Sequence, residues 1–275
     1  MNKQNFTSRA TARSTAHPTR SVARKLASAG LALGFTLAAA ASQAAVARFE
    51  TTSFGYTVSG GSLSWAPSDS YQGLTTEAYG AGGVLGSDSK QDFWGAFTNA
   101  TSSAATAYSG ATATATTGQT LGGSAYATPT GLTPYTLPAH TSYAYGNQGG
   151  AFSLSEDGSV TFVLGWELQV DGAANGAFDN YANALMSFTA GNYDGSISTT
   201  LSKELFSFDS ATGLATASGI WTIVVNLAAG EYGFYDLTGT ASAQATSIPE
   251  PGSLALMLGG LGALCVLQRR RAAKR

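Results

Sequence analysis

Four oxygen-bearing side chains are grouped in the sequence VDGAANGAFDNY, where Asp171, Asn175, Asp179 and Asn180 lie within ten residues of one another. Carboxylate and amide oxygens are the ligands that Ca²⁺ prefers, so this group is a candidate calcium site. Its spacing does not follow the EF-hand loop, and the same residue types favour a turn that caps a hairpin. The turn is the preferred interpretation, and calcium is kept as the alternative.

Side chains suited to acid–base or nucleophilic catalysis are few between residues 45 and 247. This stretch contains one histidine, His140, and no cysteine. His140 lies in a segment rich in Pro and Tyr, which predicts a surface loop, and no Gly-x-Ser-x-Gly sequence supplies a nucleophile for it. Fifteen Asp and Glu residues allow many carboxylate pairs, but no spacing singles out one pair. We therefore predict no catalytic residue, no enzyme activity and no required cofactor.

The C-terminal residues combine a rigid motif, an apolar stretch and a basic cluster. The motif is Pro249, Glu250 and Pro251, in which proline restricts its own φ and favours an extended conformation for the residue before it. Residues 252–267 carry no charge, which predicts a short transmembrane helix near the lower limit of about 17 residues. The basic cluster should retain the C-terminus in the cytoplasm. It consists of Arg269, Arg270 and Arg271, with Lys274 and Arg275 beyond them.

This order of Pro-Glu-Pro motif, glycine-bearing apolar stretch and terminal arginines resembles the PEP-CTERM sorting signal of Gram-negative bacteria. The resemblance implies recognition by an exosortase, a membrane-embedded cysteine protease that processes the tail near the motif and releases or transfers the preceding domain. It covers roughly a tenth of the chain, and it implies sorting rather than an activity of the domain. A plain membrane anchor is the alternative reading of the same tail.

The N-terminal residues 1–44 have the features of a secretory signal peptide. They contain Lys and Arg but no Asp or Glu, and their apolar run from Leu26 to Ala41 predicts a signal helix. Small residues then permit cleavage after Ala44 or, alternatively, after Ala47. Signal peptidase and the Sec machinery are the expected partners. Without both signals, the remaining domain has three basic and fifteen acidic residues, a net charge near −12. Such a domain repels phosphate, so we expect no nucleic-acid partner.

The pattern of the exported domain favours strands. Within residues 159–170, Val160, Phe162 and Leu164 alternate with more polar positions, as in a strand with one buried face. The apolar segment 219–227 and the segment that starts at Tyr232 are separated by a glycine-bearing turn, which predicts a terminal hairpin. In the second segment Tyr232, Phe234 and Leu237 are the inward candidates, whereas LSKELF at 201–206 indicates a helical turn. Short strands with Gly-rich turns predict an all-β, antiparallel sandwich or jelly roll.

The segment from Phe93 to Ser155 contains no Asp, Glu, Lys or Arg. Thr and Ala alternate in residues 112–116, which favours a strand, whereas the many small residues are also compatible with a disordered loop. We expect ordered β structure with flexible tips in residues 100–150. Because charges normally prevent exposed strand edges from pairing, this uncharged surface is a candidate for self-association.

The predicted organisation is a signal peptide (1–44), an exported β-rich domain (45–247) and a sorting signal (248–275). We expect a non-catalytic structural or adhesive protein, linked to exopolysaccharide or biofilm. It is anchored transiently in the inner membrane and then lies at the cell surface or in the extracellular matrix. A carbohydrate- or calcium-binding module is the alternative, and a secreted hydrolase is third. Of four tryptophans that suit sugar rings, Trp94 is the surface candidate, while Trp166 and Trp221 lie in predicted strands and are expected in the core.

Overall fold

The computed structural model describes residues 44–80, 85–93, 99–116, 120–129, 140–173 and 180–246. The signal helix and the C-terminal transmembrane helix expected from the sequence lie outside these ranges. Within them, no helix has the length and apolar character needed to cross a bilayer. The described chain is built from strands, with one short 3-10 turn at Ser207–Asp209. The strands are β1 (Ala45–Ser59), β2 (Leu63–Tyr79), β3 (Leu85–Phe93), β4 (Ala100–Ala105), β5 (Ser109–Thr116), β6 (Thr120–Ala127), β7 (His140–Leu154), β8 (Gly158–Asp171), β9 (Asn180–Asn192), β10 (Ser198–Phe206), β11 (Ala215–Leu227) and β12 (Tyr232–Ala245).

These strands form two six-stranded sheets packed face to face. Sheet A has the order β11-β8-β1-β6-β5-β4, and sheet B has the order β10-β9-β12-β7-β2-β3. Every strand pair in the two sheets is antiparallel. The all-β antiparallel sandwich predicted from the sequence is therefore confirmed.

Alternating burial along each strand produces the core between the sheets. On β8, Val160, Phe162, Leu164, Trp166, Leu168 and Val170 are buried, as the period-two pattern predicts. One part of the core is aromatic, where Phe162 packs edge-on against Phe152 and Phe188. The part under β4, β5 and β6 is lined by alanine, for example Ala113 and Ala125. The uncharged segment thus forms strands with Ala or Ser facing inward and Thr facing outward on β5.

One large ring occupies a site formed by glycines. Phe49 on β1 is fully buried. Its ring lies where a Cβ on Gly123 or Gly239 would stand, at 2.3 Å from Cε1 and 2.2 Å from Cδ2 respectively. Gly123 is the register partner of Phe49 in sheet A, and Gly239 pairs with Gly146 in the facing sheet. The glycines are needed here because any side chain would displace the ring that joins the two sheets.

Three details of the predicted strand pattern are wrong. β11 and β12 do not form a hairpin, because β11 pairs with β8 in sheet A and β12 pairs with β7 and β9 in sheet B. The connecting turn is tied to the β7–β8 connection instead: the Gly230 N–H donates to the Leu154 carbonyl, and the Ala229 N–H donates to the Asp157 carboxylate. These hydrogen bonds fix the turn at which the chain passes from sheet A to sheet B.

The other two errors concern local periodicity. Residues 201–206 belong to strand β10, because pairing with β9 satisfies their backbone groups. On β12, Leu237 is buried as expected, but Tyr232 is exposed and Phe234 lies on the outer face with it. Tyr235 takes the inward position, since strand side chains alternate and only one parity can face the core.

Candidate functional site

The predicted sorting residues lie outside the described part of the chain. These are Pro249, Glu250, Pro251, Arg269, Arg270 and Arg271. Ala44, the predicted signal-cleavage residue, is the first described residue and directly precedes β1. The sorting and cleavage roles of these residues stay predictions from the sequence.

The candidate calcium residues are only partly described. Asp171 ends β8 and Asn180 begins β9, while Asn175 and Asp179 lie outside the described ranges. The Asn180 side-chain oxygen accepts a hydrogen bond from the Thr246 backbone N–H at 3.0 Å, and its carbonyl accepts one from the Ala173 N–H. Among described residues, no three His, Cys, Asp or Glu side chains are grouped as metal ligands would be. Asn180 thus has a structural role at this chain turn, and the calcium site stays a prediction.

His140 does not lie in a surface loop. It begins β7 with 3% of its surface exposed, and its ring lies 5.0 Å from that of Tyr108. Burial lowers the pKa of His140, because the charged imidazolium would lose its hydration. The sequence interpretation was wrong here because the preceding Pro-rich stretch ends where the strand begins.

A groove is open to solvent at the end of sheet B where β9 ends and β12 begins, and it is bordered by Tyr71 and Phe234 of the outer face and by the inward-facing Tyr235. It has a volume of about 460 Å³, within the range of small-ligand sites. Strand β2 forms one wall, because its register with β7 shifts between Ala66 and Tyr71 and the intervening residues arch away from the sheet. The β9–β10 turn forms the other wall. The lining residues are Asp69, Ser70, Tyr71, Gly150, Ala151, Tyr193, Asp194, Gly195, Phe234 and Tyr235.

Backbone contacts fix the turn that carries Tyr193 and Asp194. The Tyr193 N–H donates to the Tyr232 carbonyl at 2.8 Å, and the Gly195 N–H donates to the Asn192 carbonyl at 2.9 Å. Gly195 has φ of 75°, a conformation that favours glycine. The Ser196 N–H donates to the Asp194 carboxylate at 2.9 Å and lowers its pKa. The turn therefore presents an ionised carboxylate beside a tyrosine that is 57% exposed.

A row of tyrosines extends along the same outer face, and we call it the tyrosine face. It consists of Tyr71 and Tyr79 on β2 and of Tyr143 and Tyr145 on β7. The rings of Tyr143 and Tyr145 are stacked with centroids 6.5 Å apart. The Tyr79 hydroxyl donates to the Glu77 carboxylate at 3.0 Å. Aromatic rings and carboxylates thus alternate across a broad, accessible surface.

One carboxylate joins the groove to the tyrosine face. Asp236 lies opposite Gly149 in the β7–β12 ladder. The Tyr71 side chain passes over Gly149, and its hydroxyl donates a hydrogen bond to the Asp236 carboxylate. Burial raises the pKa of Asp236, although hydrogen bonds from Tyr71 and Thr238 partly oppose the shift. Its Oδ1 atom has no hydrogen-bond partner among the described residues. The pKa of Tyr71 is also raised, chiefly by burial and then by the Asp236 charge.

The described tryptophans that were candidates for sugar stacking pack against other aromatic side chains instead. Trp166 is 7% exposed and its ring lies 4.8 Å from that of Trp221, while Trp65 packs edge-on against Phe152. Trp94 lies outside the described residues. Sequence reasoning missed the groove and the tyrosine face, because their residues come from strands that are distant in sequence. The alternation of tyrosine in TSYAYGN is a local signal for the tyrosine face.

Comparison with known protein families gives a match at the C-terminal end. Residues 247–271 match the family model of the PEP-CTERM protein-sorting motif. The chain therefore carries a PEP-CTERM sorting motif at these residues. No curated protein and no solved structure matches it. The motif implies export, surface sorting and an exosortase as the processing partner.

Proposed function

We propose that this PEP-CTERM protein is a non-catalytic adhesive or structural component of the cell surface or extracellular matrix, and that it contacts hydroxyl-rich polysaccharide. The tyrosine face and the adjoining groove are the observation that carries this proposal. Pyranose rings present apolar C–H faces that stack on aromatic rings, while their hydroxyl groups donate to carboxylates. Tyr193 with Asp194, and Tyr79 with Glu77, offer both types of contact side by side.

The charge of the domain limits the type of polysaccharide. With a net charge near −12 and Asp69 and Asp194 in the groove walls, the surface repels anionic chains. A neutral polysaccharide meets no such repulsion. We therefore expect binding to dextran-type neutral glucans and weaker binding to alginate at the same ionic strength.

The proposed role is non-catalytic because the groove carboxylates are poorly suited to glycoside hydrolysis. A general acid needs a raised pKa, whereas that of Asp194 is lowered by its hydrogen bond to Ser196. Asp236 has a raised pKa, but its Oδ1 is buried within the sheet surface and inaccessible to a glycosidic oxygen. Release of reducing ends from a bound glucan would contradict this part of the proposal.

Affinity electrophoresis in gels containing dextran or alginate tests the binding. Tyr193→Ala and Tyr145→Ala should each reduce retardation by dextran several-fold, since each removes an aromatic contact. Tyr126→Ala is the matched control, because Tyr126 is 45% exposed and lies on sheet A. Equal retardation of all three variants would show that the face is not the binding surface. No retardation of the unmodified protein by any neutral polysaccharide would refute the proposal.

A further inference from the structure

Edge strands decide whether a β-sandwich can pair with other chains, because each presents unpaired N–H and C=O groups. In the described part of the chain, sheet A ends at β11 and β4, and sheet B ends at β10 and β3. Natural edges are usually short, charged or covered. These four end strands differ in these respects, and residues 53–59 of β1, which pair with β8 alone, are a further unpaired segment of sheet A.

The edges of β3 and β4 protect each other. The Ser103 N–H on β4 donates to the Asp88 carboxylate on β3 at 3.2 Å, and the Ser102 hydroxyl donates to the Asp88 carbonyl at 2.9 Å. Lys90 pairs with the same carboxylate at 3.2 Å. This side of the sandwich is therefore closed, and the uncharged strand β4 is not a free edge for self-association.

Strand β10 carries charge along its edge. Lys203 and Glu204 lie at its centre, and Glu204 accepts a hydrogen bond from the Asn183 amide at 2.9 Å. Another strand that paired here would place uncompensated charges in the new ladder. Charge of this kind is a common protection of edge strands.

Among the described strands, β11 is neither short nor charged, and its outer face is open. Its thirteen residues, ATASGIWTIVVNL, include no charged residue and no proline. On its outer face Ile220 is 73% exposed and Val224 is 53% exposed. Val163 on β8, the register partner of Thr222, is also exposed and extends this apolar surface inward from the edge.

We propose that β11 pairs in antiparallel fashion with β11 of a second copy of this chain, about a twofold axis at Thr222. In that register Ile220 lies opposite Val224 of the second copy on the outer face, and Trp221 lies opposite Ile223 on the inner face. Thr222 lies opposite its own counterpart. Side chains of the same face are thereby matched throughout, as strand pairing requires.

Repulsion between two acidic copies should be weaker in this arrangement than in other contacts between them. Two domains of net charge near −12 repel each other at most orientations. Along the proposed ladder the nearest exposed acid is Glu167, which pairs with Ser218, four positions before Thr222. In this register Glu167 would come closest to Asp157 of the second copy, about 7 Å away along the strands and three strand spacings across them, or roughly 16 Å in all. That distance exceeds the Debye length of about 8 Å in physiological salt.

The contact area indicates a weak association. Residues 217–227 give a strip about 36 Å long and about 10 Å high, or roughly 350 Å² per copy. Stable dimers bury about 1,200 Å² or more in total, so the pairing should depend strongly on protein concentration. Concentration is high where a sorted protein accumulates at one surface.

Charge substitution at the twofold axis tests the register. In full-length protein exported by cells with an exosortase, Thr222→Lys places two like charges opposite each other and should weaken association about tenfold. Thr222→Asp should act similarly. An equimolar mixture of the two variants should associate at least as well as the unmodified protein. Thr114→Lys is the matched control and should change nothing, because Thr114 is an exposed threonine on β5 that pairs with β4 on one side and β6 on the other.

Sedimentation velocity of the recovered protein provides the readout, and cysteine cross-linking identifies the occupant. Thr222→Cys should yield a disulfide-linked homodimer on oxidation, whereas Thr114→Cys should not. Unchanged association of Thr222→Lys, or no recovery in the mixture, would overturn the proposed register. A monomeric protein at every concentration, or a cross-link from Thr222→Cys to a different protein, would overturn the self-pairing.

Discussion

The contact between Phe49 and Gly239 is the sharpest test of how the two sheets are held together. Gly239→Ala would place a Cβ 2.2 Å from Cδ2 and 2.3 Å from Cε2 of the buried ring. Ordinary carbon contacts lie near 3.5–4.0 Å, so the ring would need to move by more than about 1 Å. It cannot move within sheet A, because Gly123 lies against its Cε1 and Cζ atoms.

The expected cost follows from overpacking. Added methyl groups in a closed core cost about 1–3 kcal/mol, and this site should lie at the upper end because backbone surrounds the ring on both sides. For a domain of this size, the loss corresponds to a lower melting temperature by about 5–10 °C. Phe49→Leu alone should cost about 1–2 kcal/mol through its cavity. In the double variant the smaller side chain admits the methyl group, so the costs should fall short of additivity by about 1–2 kcal/mol.

Urea unfolding followed by tryptophan fluorescence measures these terms, with Gly55→Ala as the matched control. No atom lies within 4 Å of a Cβ at Gly55, so this change should stabilise the protein by about 0.5–1 kcal/mol. Additive effects of Gly239→Ala and Phe49→Leu would refute the reasoning. The reasoning would also be refuted if Gly239→Ala and the control Gly55→Ala changed the free energy of unfolding by the same amount.

Three further outcomes are expected. Replacement of Pro249-Glu250-Pro251 by alanines should leave full-length protein in the membrane fraction, and unchanged processing would contradict the role of the motif. Stability should fall as the pH drops from 7.5 to 5.5, because the unfolded His140 binds a proton near pH 6.5 and the buried ring does not; His140→Phe should flatten this slope in thermal melts. Asp236→Asn should raise the melting temperature at pH 7, because the fold disfavours the charged carboxyl group, and the gain should vanish near pH 4.

The strand pattern of the sandwich was predictable where one face of a strand is wholly buried. β8 is the clearest example, since Val160 to Val170 alternate without interruption and lie between two neighbouring strands. The β11–β12 connection was not predictable, because a short glycine-bearing turn suits both a hairpin and a crossing between sheets. The choice depends on Gly230 and Ala229 meeting the β7–β8 connection, which is more than 70 residues away.

The groove was hidden from sequence reasoning for a related reason. Its walls come from β2 and the β9–β10 turn, and its floor comes from β7 and β12. The arch in β2 does have a local signal, because Pro67 cannot donate to a ladder and is followed by Ser68, Asp69 and Ser70. Pro67 thus indicates that the pairing of β2 is interrupted. Which residues then lie beside the arch depends on the order of strands in sheet B, and the local sequence does not reveal that order.

The small residues of this domain explain how both proposed surfaces can exist on one sandwich. Inward alanines and glycines let the sheets approach closely, so most large polar side chains of β7 and β2 point outward and build the tyrosine face. Gly146 lies directly between Tyr145 and Asn147, so the packing of Phe49 against the glycines also sets the backbone that carries the binding surface. The β11 edge belongs to the other sheet, and pairing there leaves sheet B uncovered. One copy can therefore hold polysaccharide while it pairs with another, so Tyr193→Ala should weaken only the polysaccharide contact and Thr222→Lys only the pairing.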